Sequence, residues 1–227
     1  MPIVEKALYL NTPIILHSEK TKDDLVNNSS MVNLQNRIHI IHFGQFESYL
    51  QYGEGKEIKQ IVSDSLLYLG FIKPYKGLKY LYEAVKLLPA DFTKKIIVAG
   101  GGYDEALDKM KNDNRFFVIN RFIDNDELVW LIKHCKAVVC PYIAASQSGL
   151  VQTAMVYQKP VIATKVGAFT ELIHDGQNGY LVNASDAEDL SRVIYKFCAE
   201  DFNYQIPYMQ ELDWPFIAQQ YLSICQG

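Results

Sequence analysis

"LLYLGFIKPYKGLKYLYEAVKLLP", residues 66–89, is the stretch on which the fold turns. It opens on a short apolar run, Leu66–Phe71, with Gly70 near its end. Its second half carries Leu78, Leu81, Tyr82, Val85 and Leu88 at spacings of three and four, the period of a helix with one apolar face. Between them lies a turn built on Pro74. Strand, turn and amphipathic helix in direct succession are half of a βαβ unit.

The same phrase recurs down the chain. "KIIVAGGG" (95–102) is a second strand, followed by the helical "YDEALDKMKN". "RFFVIN" (115–120) precedes "DNDELVWLIKHC", where Asp124 and Glu127 have the spacing of a capping box. "AVVCPY" (137–142) leads through a small polar turn to a helix. "KPVIAT" (159–164), the short helix of "GAFTELIHDG", "GYLV" (179–182) and the capped helix "SDAEDLSRVIYKFCAE" complete the series. Apolar strands that alternate with helices predict a parallel sheet covered on both faces. Six of them predict an α/β, doubly wound, Rossmann-like sheet.

Residues 1–50 read differently. "TPIILHS", "EKTKDDLVNN" and "RIHIIHFG" give one βαβ unit, too small to stand as a domain. The expected organisation is therefore a partial domain over 1–50, a linker over 51–64, the main domain over 65–205 and a closing helix over 206–227. The linker reading rests on the polar, glycine-containing run 45–65.

Composition narrows the function. Of the 227 residues 49% are hydrophobic and 21% charged, and the net charge is −4. No basic block marks a nucleic-acid surface, so any phosphate binding must be local. The four cysteines form no CxxC pair and no zinc spacing, and no metal or cofactor is expected. Buried thiols are the favoured reading, with a Cys135–Cys140 bridge as the alternative in an oxidising compartment. No apolar run approaches the roughly 20 residues that span a bilayer. A cytoplasmic protein, free or peripheral at the inner membrane face, is expected.

In an open parallel sheet, ligands bind beyond the carboxyl ends of the strands. The first such turn holds Lys73 and Lys76, either a phosphate contact or a solvated turn. The second, Gly100–Gly102, is no dinucleotide fingerprint, because Glu105 stands where another glycine is required. Its glycines admit either a ligand or a neighbouring backbone. The fourth is "SQSG", 146–149. Ser146 or Ser148 can cap the helix that follows, and Gly149 leaves its first N–H groups uncovered. Such a helix start attracts an anion without a charged side chain; an ordinary capped helix is the alternative. Gln152 and Thr153 lie one turn on, toward the ligand, and Leu150, Val151, Ala154 and Met155 toward the core. No histidine forms a catalytic dyad in sequence. His134 suits a helix carboxyl end, and Glu171 suits a helix start.

Taken in order, "YLGFIKPYKGLKYLYEAVKLLP", "KIIVAGGG", "FIDNDELVWLIKHCKAVVCPY", "SQSGLVQTAM", "KPVIATKVGAFTELIHDGQNGYLV" and "DAEDLSRVI" resemble the carboxyl-terminal half of the family 4 glycosyltransferases, which have the two-domain GT-B fold. Residues 1–50 resemble the end of the family's amino-terminal, acceptor-side domain, and "DWPFIAQQYL" its closing helix. The resemblance implies a nucleotide-sugar donor, transfer with retained anomeric configuration, a glycan or lipid-linked acceptor, and a role in bacterial polysaccharide synthesis. It places Lys76, Lys73, Ser148, Gly149 and Leu150 at the diphosphate. Gly101, Ile123 and Thr153 fall near the nucleoside, and Ser146 and Gln147 near the sugar.

Two departures stand out. Most members carry two glutamates eight positions apart, the first at the sugar and the second at the ribose. Aligning "TAMV" with the family's "EAMA" puts Ala145 and Thr153 there. Most of the acceptor-side domain is also missing, which suggests a fragment, a subunit completed by a partner chain, or a dimer. The alternative function is a non-catalytic nucleotide-sugar-binding module. A nucleotide-sugar epimerase would need acid–base residues that the sequence does not offer.

Overall fold

The computed structural model describes residues 12–28, 34–59, 64–147, 149–200, 206 and 212–226. The chain divides into a larger unit, Phe46–Pro207, and a smaller one of Met1–Gln45 with Tyr208–Gly227.

In the smaller unit, β1 (Ile14–Leu16) and β2 (Ile38–Ile40) pair in parallel around α1 (Glu19–Asn27). Ser18 caps α1, its Oγ accepting from Thr21 N at 3.1 Å. His17 is structural: its Nδ1 bonds Ile41 O at 2.7 Å, and its ring meets Phe43 edge-on at 5.7 Å. The C-terminal helix α8 (Trp214–Gln226) belongs to the same unit. Trp214 Nε1 donates to Gln45 O at 2.8 Å, and its ring packs edge-on to Phe43.

The larger unit holds the six predicted strands: β3 (Ser65–Leu69), β4 (Ile96–Ala99), β5 (Phe116–Ile119), β6 (Cys135–Cys140), β7 (Val161–Thr164) and β8 (Gly179–Val182). All pair in parallel, in the order β5-β4-β3-β6-β7-β8. The helices are α2 (Leu78–Leu87), α3 (Ala106–Lys111), α4 (Asn125–His134), α5 (Gly149–Val156), α6 (Phe169–Leu172) and α7 (Ala187–Ala199). Helices α2 and α7 pack together, and α4 packs on β3 and β6. The sheet is an α/β doubly wound one, as its apolar runs predict.

This order places the site. The chain builds outward from β3 to β5, then returns to the far side of β3 and builds outward again. The direction reverses between β3 and β6, and the turns leaving those two strands diverge to leave a crevice. Every residue of β3 is buried.

The bridge between Cys135 and Cys140 is excluded. They stand at opposite ends of β6, and five residues of extended chain span about 16 Å, far beyond disulfide reach. Both are free and buried, and burial pushes each thiol up to about 12.

Tyr68, next to the carboxyl end of β3, is fully buried, and among the described residues its hydroxyl has no hydrogen-bond partner. Burial pushes its ionisation far above the usual phenol range. Tyr68→Phe removes a desolvated hydroxyl while keeping the ring. It should raise stability by about 1 kcal/mol, read as a higher urea midpoint at unchanged slope. A loss of that size would reveal a partner for the hydroxyl.

Candidate functional site

The turn leaving β3 is short and constrained. Pro74–Lys76 form one 3₁₀ turn with proline at its first position, where no N–H is needed. Gly77 follows in the left-handed region, at φ 69°. It lies so close to β6's exit that an added Cβ would sit 1.9 Å from Pro141 O. Beside it, Ile143 N donates to Tyr75 O at 2.7 Å. The first and fourth turns are thus laced together across the switch point.

This lacing aims Lys76. Its Nζ lies 5.0 Å over the Tyr142 ring, in cation–π range. Gly70 leaves room beneath the amine, since a Cβ there would come within 3.1 Å of Nζ. Burial holds the Lys76 ammonium below the usual lysine range, and the charge of Lys73 adds to the effect while Cys140 opposes it.

The fourth turn rests on β7 and the loop after it. Thr164 Oγ1 donates to Tyr142 O at 2.6 Å. Gly167, at φ 50°, brings its backbone so near that a Cβ would stand 1.9 Å from Ala145 O. Ala168 N donates to Ser146 O at 3.3 Å. Helix α5 then starts at Gly149, and Phe46 lies against it: a Cβ at 149 would meet the ring at 2.8 Å. So the missing side chain at 149 makes room for an aromatic ring.

The two turns enclose a cleft of about 690 Å³. Of the residues singled out from sequence, Lys76, Ser146, Gln147, Gly149, Leu150 and Thr153 line it, and so does Ala145. Ser148 lies outside the described residues. Lys73, Gly101 and Ile123 lie outside the lining. Lys73 is exposed and only begins the 3₁₀ turn that carries Lys76 inward. Gly101 and Ile123 sit at the exits of β4 and β5, half-buried.

Three expectations are corrected. Leu150 faces the cleft and not the core, whereas Val151, Ala154 and Met155 are buried as expected. Gln152 does not face the ligand space; it is 1% exposed and absent from the cleft lining. The capping box at α4 is half formed. Asp124 Oδ1 accepts from Glu127 N at 2.8 Å, but the Glu127 carboxylate turns to Arg121 in a bidentate pair at 2.6 and 2.8 Å. That hydrogen-bonded guanidinium holds Glu127 below the usual carboxylate range. The glycines at 100 and 102 admit backbone: a Cβ on either would run into the carbonyl of Gly70 or Ile72. His134 bonds Trp130 O at 2.8 Å and stacks on the Trp130 ring, a helix-end role.

Sequence reasoning missed the aromatic wall. Phe46, just before the 3₁₀ helix Glu47–Tyr52, and Tyr49, within it, line the cleft with Tyr75 and Tyr142. The segment is fixed to the larger unit, because Tyr157 Oη donates to Tyr49 O at 2.8 Å and Asn125 Nδ2 donates to Tyr52 Oη at 2.7 Å. A signal existed in "FESYLQY", with an aromatic at every third residue, the spacing that a 3₁₀ helix stacks on one edge.

The cleft therefore offers one half-buried amine, a helix start with small residues around it, and aromatic walls. Among its described lining residues Lys76 is the single charged side chain. This arrangement can hold a compact anion that carries a flat or apolar group. Its described lining holds no carboxylate pair for acid–base work.

Comparison with known proteins gives a consistent picture. Residues 63–200, more than half the chain, match the family described as Glycosyl transferases group 1. An uncharacterized glycosyltransferase of Methanocaldococcus jannaschii is 29% identical over 170 residues, which cover 74% of this chain and 46% of the relative. An uncharacterized 41.2 kDa protein in the cps region of Klebsiella pneumoniae is 28% identical over 131 residues, covering 57% and 36%. The chain thus spans about half the length, or less, of these curated relatives. Among solved structures, Anabaena Alr3699/HepE in complex with UDP and glucose superposes with a TM-score of 0.74 at 21% identity, over 98% of this chain and 65% of that one. Sucrose-phosphate synthase from Thermosynechococcus elongatus gives 0.74 at 19% identity, over 99% and 60%. At these identities the likeness is one of fold, the GT-B architecture.

Proposed function

Because this chain belongs to the glycosyl transferases of group 1, we propose that residues 46–207 are the donor-binding half of a sugar transferase. The donor is a nucleoside diphosphate sugar, and the sugar passes to a glycan or lipid-linked acceptor with retention. The supporting observation is that the half-buried Lys76 amine and the first residues of α5, Gly149 and Leu150, line one cleft.

Each residue then has a task. Lys76 neutralises the diphosphate, and the backbone N–H groups at Gly149 and Leu150 receive it. As the glycosidic bond breaks, negative charge grows on the departing diphosphate, and fixed donors stabilise it more there than in the ground state. Thr153 Oγ1 donates to Gly149 O at 2.7 Å, so toward a ribose it acts as acceptor and the ribose hydroxyl donates. Ser146 and Gln147 flank the sugar. The base extends toward the exits of β4 and β5, where Gly101 and Ile123 stand. Lys73 contributes its charge from outside the cleft.

Anabaena Alr3699/HepE was crystallised with UDP and with UDP-glucose, which makes uridine the first base to test. UDP-, GDP- and ADP-linked sugars are titrated into the chain and followed by thermal shift. One base series should stabilise it, by about 2.7 kcal/mol at a hundredfold excess over Kd. If none binds at millimolar concentration, the donor reading fails.

A second reading is a nucleotide-sugar-binding module without turnover. The absence of any carboxylate from the described cleft lining, with Ala145 and Thr153 at the family's glutamate positions, favours it. Release of free sugar from a bound donor separates the two readings.

A further inference from the structure

A second cavity, of about 720 Å³, adjoins the first. Pro74 and Ile143 line it, whereas their chain neighbours Tyr75, Tyr142 and Ala144 line the donor cleft. The two cavities therefore flank one wall, the junction where Ile143 N donates to Tyr75 O. The second cavity is otherwise built by α2, by the turn that enters α3 and by α3 itself.

Its lining combines three kinds of group. Tyr80, Tyr82 and Tyr103 line the cavity; Lys79 lies 5.8 Å from the Tyr80 centroid, whereas Tyr103 is 65% exposed. Lys86 from α2 and Lys109 from α3 converge on one of those rings, with their amines 5.9 and 6.0 Å from the Tyr82 centroid. Among the described residues, neither amine has a carboxylate within ion-pair distance. Glu83 pairs with Lys79 at 3.8 Å, and Asp104 accepts from Ala106 N at 2.9 Å. Glu105 completes the acidic side of the cavity.

Lys86 and Lys109 each bring a positive charge to the Tyr82 ring, and a negative group at that side of the cavity is attracted by both. The charge must be sparse, however. Glu83, Asp104 and Glu105 in the same cavity oppose a polyphosphate, and they are natural acceptors for hydroxyl groups. The exposed Tyr103 ring for a C–H surface, carboxylates for hydroxyls and two lysines for an isolated negative charge fit one ligand chemistry. We propose that this cavity binds an oligosaccharide segment that carries a carboxylate, as in a uronate-containing glycan.

The inference goes beyond the donor reading and stands without it, since binding here needs no nucleotide. If both hold, a glycan lying on α2 ends at the wall beside the donor cleft, where a sugar would be added or has just been added.

The test is calorimetric, on the intact chain. A hyaluronan hexasaccharide serves as the uronate probe, with maltohexaose as the neutral control and inorganic phosphate as the bare anion. The hexasaccharide should bind saturably, and more tightly than either control. The double variant Lys86→Ala/Lys109→Ala should weaken it at least about tenfold, and added salt should weaken it further. Tyr103→Ala should weaken it at unchanged melting temperature. Both lysines are exposed, so the double variant should melt with the parent. UDP binding should be untouched by all three substitutions. No saturable binding of the hexasaccharide, equal binding of maltohexaose or phosphate, or an unaffected double variant would each overturn the proposal. A chain that binds the hexasaccharide but no nucleotide sugar would sink the donor reading alone.

Discussion

Lys76→Ala should cost this chain about 2 kcal/mol of affinity for UDP, roughly thirtyfold in Kd. The size follows from geometry. Lys76 is the single charged side chain among the described lining residues, and no other cation is placed to replace it. Lys73, three residues away, is exposed and outside the lining. Partial burial also makes the amine's charge count for more than a surface lysine's. The same burial works against the empty protein. Desolvation lowers the folded-state value, so between that value and the ordinary lysine value of 10.5 the unfolded chain binds more protons. Stability therefore rises with pH through that window, and below it the buried charge is a net cost. Lys76→Ala should consequently leave the melting temperature unchanged or raise it, which separates lost binding from lost structure. Diphosphate binding draws the proton back onto Lys76, so UDP affinity should begin to fall with rising pH below 10.5. Lys76→Arg, which does not titrate there, should flatten that alkaline limb. Calorimetry across pH checks all three. A Lys76→Ala variant that binds UDP within twofold of the parent would show that the anion sits elsewhere.

What could be read in advance follows from which interactions are local. The six strands and most helices were legible because apolar runs and three-four spacing record burial within a few residues, as in Leu66–Leu69 and Leu78–Val85. The turns after β3 and β6 were legible as candidates because ligands bind beyond the carboxyl ends of parallel strands, and these two turns carry lysines and a small polar helix start. Orientation within them was not. Lys73 and Lys76 look equivalent in sequence, and only the 3₁₀ turn at Pro74 sends one outward and one inward. Helix α5 is apolar nearly all round, so its wheel does not show which side meets the cleft; Leu150 does and Gln152 does not. The aromatic wall was hidden for the opposite reason. Residues 45–65 are polar enough to read as a linker, and the contacts that hold Tyr49 and Tyr52 come from Tyr157 and Asn125, far away in sequence. The close approaches of Gly77 and Gly167 are likewise contacts between distant segments.

Gly77→Ala should damage both the fold and the site, and its cost divides into two measurable parts. The first is conformational. At φ 69° an alanine pays about 1 kcal/mol for the left-handed region. Gly176→Ala isolates that part, since Gly176 has φ 76° and nothing within 4 Å of its added Cβ. The second is collision. The new methyl would lie 1.9 Å from Pro141 O, a backbone atom that cannot rotate away. To clear it, the segment leaving β6 must move, but that segment is held by Tyr75 O on one side and by Thr164 Oγ1 on the other. The total should reach about 3 kcal/mol, roughly 6–12 °C in melting temperature for a chain of this size. Because the same displacement carries the 3₁₀ turn of Lys76 away from Tyr142, UDP affinity should fall at least as far as in Lys76→Ala. Lys76→Ala loses binding at full stability; Gly77→Ala loses both. If Gly77→Ala melts no lower than Gly176→Ala, the two turns are not laced by close contact, and some other constraint must hold Lys76 over the cleft.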